Sequence, residues 1–268
     1  MGAGGPPFAY FAAAGIDDFN HDEVRALAER LAGARVPVRL AVFAGPHAWP
    51  PTDVCGDALA WLTMRAMRDG LVPPDSAWIE ARLRDELSRA GALDSSGKWE
   101  EASRLYAAIA RDYSPAPQSV DAGGRAAAIE SREPMRRLRA RMRELAEQER
   151  EQAVDVQAGL LWLRTQRDAP RAGELATRLG VPALLRRAAA GDSLEAPSAR
   201  RSLARIEALA SFYEPRWYVT RGDLEKAARL LEVAASIAPL RGEACDELDA
   251  LRRRAPKAVG HGLDGQCR

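Results

Sequence analysis

His47 stands in the stretch LAVFAGPHAWPP, residues 40–51, where a short apolar strand stops at a Gly-Pro-His turn. In open α/β sheets, ligands and catalytic side chains collect at the carboxyl ends of strands. A turn histidine bonded to nearby backbone is the alternative role, because a single histidine is weak evidence of catalysis. Its candidate partners are Asp17 and Asp18, in the polar stretch IDDFNHDE that follows a first apolar run, FAYFAAA at 8–14. Parallel neighbours lie roughly 4.8 Å apart, so turns leaving two such strands emerge side by side and bring the carboxylates within reach of the imidazole. A carboxylate that holds one ring nitrogen leaves the other free to act as base and then as acid.

The elements around these turns fit that placement. FAYFAAA, ending at Gly15, reads as a strand buried on both faces. EVRALAERLAGA puts Val24, Leu27, Ala28 and Leu31 on one helical face, with Asn20 or Asp22 as N-cap and Gly33 as stop. VPVRLAVFA is the second strand, and PPTDVCGDALAWLTMRAMRDG a second helix that opens on prolines and stops at Gly70. Strand, helix, strand, helix is a βαβα unit, which requires parallel strands with a right-handed crossover.

From Pro73 onward the pattern is helical. DSAWIEARLRDELSRAG and GKWEEASRLYAAIARDYS form a helix pair, and SPAPQSVDAGG reads as a Pro/Gly/Ser-rich loop and the best internal break. Residues 133–164 form one long charged helix with Met135, Leu138, Met142 and Leu145 as a seam that Glu149 and Gln152 interrupt. The region 170–191 is a helix broken at Pro182, and 196–255 closes as three helices. The expected fold is therefore mostly α. A short βαβα segment (1–72) precedes an all-α domain (73–256) and a disordered tail (257–268), with MGAGGPP as a flexible lead-in.

Composition narrows the functional classes. With 39 basic against 38 acidic side chains and arginines alternating with glutamates, no clustered positive face for nucleic acid is expected, including at 136–143. Cys55, Cys245 and Cys267 are far apart with no CxxC, so neither a metal site nor a disulfide framework is expected, and Cys267 is expected to be exposed. No cofactor is expected. No apolar run approaches a membrane span, and FAYFAAAG lacks the basic flank of a signal peptide. The chain as it stands reads as cytoplasmic, or periplasmic if an upstream signal exists.

Two stretches resemble each other. Gly97, Trp99, Ala102 and Tyr106 recur as Gly222, Leu224, Ala227 and Leu231, and the later copy continues to Ala234 and Pro239. These resemble the second helix of tetratricopeptide repeats, in which a small alanine admits the paired helix and large residues fill the seam. Glu214-Pro215 is a poor fit for the helix preceding the later copy, so a compact helical domain is expected rather than an open solenoid.

Residues 8–69 are similar to the last two strands of an α/β-hydrolase, closest to bacterial esterase-like and dienelactone-hydrolase-like proteins. Gly15-Ile16-Asp17-Asp18 resembles the G-x-x-D turn of the triad acid, and Gly45-Pro46-His47 the turn of the triad histidine, 29 residues on from Asp18. The resemblance implies Asp18 as acid, with Asp17 as the alternative, His47 as base, and Trp49 with its prolines as pocket wall. The implied chemistry is acyl ester hydrolysis by a serine that this fold presents earlier, in G-x-S-x-G. No G-x-S-x-G occurs here. The chain is therefore expected to be the carboxyl-terminal fragment of a serine esterase-like hydrolase, inactive without an amino-terminal partner half. The alternative is a non-catalytic helical scaffold that binds a protein partner and retains a vestigial hydrolase segment.

Overall fold

A computed structural model describes residues 8–192, 194–260, 263 and 265–267. The expected lead-in at 1–7 lies outside them. The structure is mostly helical, 71% of residues, with one small two-stranded parallel sheet. In chain order the first elements are β1 (Tyr10–Gly15), α1 (His21–Gly33), β2 (Val38–Phe43) and α2 (Thr52–Arg68). They are followed by α3 (Ser76–Ser95), α4 (Trp99–Asp112), α5 (Pro117–Ser131), α6 (Glu133–Thr165), α7 (Ala172–Arg178) and α8 (Val181–Ala190). The last are α9 (Glu195–Ala208), a π-helical turn (Leu209–Tyr213), α10 (Glu214–Val219), α11 (Leu224–Ile237) and α12 (Glu243–Arg254).

The chain forms two compact units. Of the described residues, one comprises those up to Ala13, Glu23–Phe43 and Trp49–Glu144; the other comprises Ala14–Asp22, Ala44–Ala48 and those from Leu145 on. The boundary expected at residue 72 falls inside the first unit. The turns that end β1 and β2 belong to the second.

In the first unit α3, α4 and α5 pack successively around Trp61, Tyr106, Ile109, Ile129 and Met135. Each such side chain contributes about 1.5–3 kcal/mol on burial. The stretch expected to be a loop is instead the start of α5. Pro117 occupies its first turn, where no N–H is needed. A proline that punctuates loops elsewhere here opens a helix.

Arg39 interrupts the apolar pattern of β2. Its guanidinium is buried, bidentate to Glu86 at 2.7 and 2.8 Å and bonded to Asp112 at 3.0 Å, which also accepts from the Trp61 indole. Burial opposes the Arg39 charge, but the Glu86 and Asp112 carboxylates outweigh it and push the guanidinium further up.

In the second unit the core gathers Leu163, Leu175, Leu184, Ile206, Leu230 and Leu248. Helix α6 is continuous through Glu149, which is buried and paired with Arg201 instead of breaking the helix's buried face. The expected break at Pro182 lies slightly earlier, at Gly180 (φ 80°), and Pro182 sits in the first turn of α8. The π-helical turn precedes Pro215, whose ring cannot accept regular helical geometry behind it.

Gly97 and Gly222, the glycines of the two similar stretches, share a left-handed φ of 77° and 78°. Ala102 and Ala227 behind them are fully buried. The tail departs from expectation where it is described. Cys245 and Cys267 form a disulfide, and Ala258 and Leu263 are buried in the core. Twenty-two residues of separation, with no CxxC, give no hint of the pairing in the sequence. The expectation for residues 261, 262, 264 and 268 lies outside the described residues.

Candidate acid–histidine site

β1 and β2 are parallel, and both turns leave from their carboxyl ends. The turns touch through backbone: the Asp17 N–H donates to the Gly45 carbonyl at 3.0 Å. Gly15 permits this approach, since a Cβ there would stand 2.3 Å from the Gly45 oxygen and 2.5 Å from that of Pro46. Gly45 itself has φ 141°, which L side chains rarely adopt. Both glycines are thus explained by backbone geometry.

Asp18 is shaped locally and aimed at the histidine. Its N–H bonds the Gly15 carbonyl, its carbonyl accepts from the His21 N–H, and Oδ1 accepts from the Asn20 N–H at 2.8 Å. Both carboxylate oxygens lie 3.1 Å from His47 Nδ1. The Asp18 side chain is 8% exposed, whereas that of His47 is 58% exposed. The Phe19 ring packs against the imidazole with centroids 4.7 Å apart. With Nδ1 bonded to Asp18, Nε2 is left as the ring's free basic nitrogen.

Asp17 is engaged differently, with Oδ1 2.9 Å from Arg200 Nε. Of the two carboxylates, Asp18 is the one on the histidine. Trp49, expected as pocket wall, is 94% exposed.

Three arginines of α9 reach this turn, and nothing in the sequence pointed to them. Arg201 donates to the Ile16 carbonyl at 2.9 Å and Arg205 to that of Phe19 at 3.0 Å, beside the Arg200–Asp17 pair. Separations of 185 and 186 residues leave no local signal of these bonds. Arg201 is also held by both oxygens of buried Glu149. Near it, burial would lift Asp22, but the His21 hydrogen bond and the Arg201 charge outweigh it and hold that carboxyl at about 2. Glu149 moves the other way, raised by its own burial against the pull of Arg201.

Among the described residues, no cluster of three or more His, Cys, Asp or Glu side chains could hold a metal ion. None of their helices is long and apolar enough to cross a membrane. No family model, curated protein or solved structure matches the chain.

Proposed function

We propose that Asp18 and His47 are the acid and histidine of a serine-hydrolase-type acyl-transfer site whose nucleophile and oxyanion hole are supplied by polypeptide outside this chain. The observation that carries the reading is the Asp18–His47 bond itself. A buried carboxylate sits on Nδ1 while the His47 side chain stays 58% exposed, at the carboxyl ends of the strands, where such a site is assembled. Asp18 fixes the ring orientation and stabilises its charged form. Nε2 takes the proton of an incoming serine and returns it to the leaving group. The resemblance to esterase-like and dienelactone-hydrolase-like proteins agrees with this division of labour and makes an acyl ester the substrate class.

The test joins the chain to a nucleophile-bearing segment, by extending the gene upstream or by co-expressing the adjoining reading frame. Labelling with a serine-directed phosphonate and hydrolysis of a short-chain aryl ester should appear, and His47→Ala should abolish the hydrolysis. The chain alone should do neither, since one oxyanion donor by itself is worth about 10²- to 10³-fold. Phosphonate labelling of the isolated chain, or an extended protein indifferent to His47→Ala, overturns the reading.

A second reading is favoured by the matched turns at Gly97 and Gly222 with Ala102 and Ala227 buried behind them. In it the helices are tetratricopeptide-like and serve to bind a protein partner. An extended protein that gains a partner but no hydrolysis supports this reading over the first.

A further inference from the structure

We propose that Arg201 and Arg205 of α9 are positioning residues for the Asp18–His47 pair, so that the helical part of the chain sets the geometry of the site. The inference rests on the acyl-transfer reading only for its catalytic consequence. The two carbonyls they hold, of Ile16 and Phe19, flank Asp18 on either side. A turn gripped at both ends by charged donors has lost the freedom that would let its carboxylate swing off the ring. Bonds to charged donors are the stronger class.

The two arginines are one helical turn apart and share a face of α9. Arg201 is itself fixed by Glu149 of α6, which is 5% exposed. Glu149 therefore orients the guanidinium that orients the turn. Arg205 acts on the second partner as well, because the Phe19 whose carbonyl it holds also packs against the imidazole, with the rings tilted by 38°. Arg200 adds an ion pair that draws Asp17 away from competition for the ring. Misplacement by about 1 Å can cost on the order of 10²-fold in rate. A clamp of this kind is what an acyl-transfer site would need when its acid rides on a short turn.

The test needs no nucleophile. In the full chain, long-range proton–nitrogen NMR above the ordinary histidine range reports which ring nitrogen of His47 carries the proton and how fast it exchanges. The native chain should hold it on Nδ1. Arg205→Ala should speed its exchange by about tenfold, the scale of one charge-assisted hydrogen bond, and shift the ring toward the Nε2–H tautomer. Arg205→Lys should restore most of the native signal. Arg201→Ala, combined with Glu149→Gln so that no carboxylate is stranded, should act in the same direction.

An unchanged tautomer and exchange rate in Arg205→Ala overturn the clamp, whether or not the double variant folds. A tautomer that responds, in a protein that never gains hydrolysis on extension, upholds the clamp and removes the hydrolase reading instead.

Discussion

Gly15 and Gly45 meet more closely than any other residue pair could at that place, with the Gly45 oxygen 2.3 Å from where a Gly15 Cβ would stand. The contact is between backbones, so no flexible side chain can yield. Gly15→Ala must therefore push the two turns apart. It should cost about 1–3 kcal/mol, as overpacking does. Urea unfolding measures the loss. His47 in the same variant should lose its Nδ1–H preference, because the turn that carries Asp18 has moved. A variant with native stability and a native histidine signal would mean the approach is not required.

Asp18 and Asp17 are adjacent, yet the structure gives them different partners. If an extended protein hydrolyses esters as proposed, Asp18→Asn should lower its kcat by up to about 10⁴-fold, since an amide at that place favours the wrong tautomer. Asp17→Asn, which loses the partly exposed Arg200 ion pair, should change kcat less than about tenfold, because that carboxylate is not on the ring. Comparable losses from the two substitutions would place both carboxylates on the histidine, against the geometry.

The Asp18–His47 contact is legible in the sequence because each half lies in a short turn and the parallel topology places the second beside the first. What reading the sequence missed is long-range or depends on context. Nothing near Arg39 announces Glu86 and Asp112, 47 and 73 residues away. Arg201 and Arg205 lie in a run of arginines that looks like a solvated helix face. Pro117 carries a loop-forming propensity that α5 uses for its first turn. Glu149 was read as an interruption because a lone glutamate at a seam position shows no partner in sequence.

The Arg39 cluster gives a stability test in the first unit. Arg39→Met removes the main cation from Glu86 and Asp112, which are 2% and 7% exposed, and leaves Glu86 the Arg82 ion pair at 3.4 Å and Asp112 the Trp61 indole. Breaking a buried pair from one side costs about 3–5 kcal/mol, and the loss should appear in chemical denaturation. Adding Glu86→Leu to Arg39→Met should recover part of that loss, because the more deeply buried of the two carboxylates is gone. A double variant less stable than the single one would show that the charges are not what destabilises it.

Asp57 provides a pH-dependent signature. Burial would raise its carboxyl, but hydrogen bonds from Arg82 and Arg89 prevail and hold it below its ordinary 3.8. A carboxyl lowered on folding contributes stability that is complete above 3.8 and fades as the pH falls below that value. Asp57→Asn should therefore be less stable by about 1 kcal/mol at neutral pH, the upper end for a partly exposed pair. The difference should shrink as the pH falls below 3.8. Melting curves of both proteins across that range check it, and a constant gap would assign the loss to packing alone.

The Cys245–Cys267 disulfide ties the end of the chain to α12, across a separation of 22 residues. Closing a loop of that length restricts the unfolded chain and is worth about 3 kcal/mol on the chain-entropy estimate. Cys267→Ser should lower stability by about that amount, and Cys245→Ser should match it, since either change removes the same bond. Thiol titration of the unfolded, unreduced protein should find one reactive cysteine, Cys55, which is free and exposed. Reduction should also raise hydrogen exchange at Leu263, whose burial depends on the chain being held back against the core. Three reactive thiols in the untreated protein, or a Cys267→Ser variant as stable as the native chain, would leave the buried Ala258 and Leu263 as the tail's anchors and the sulfurs as bystanders.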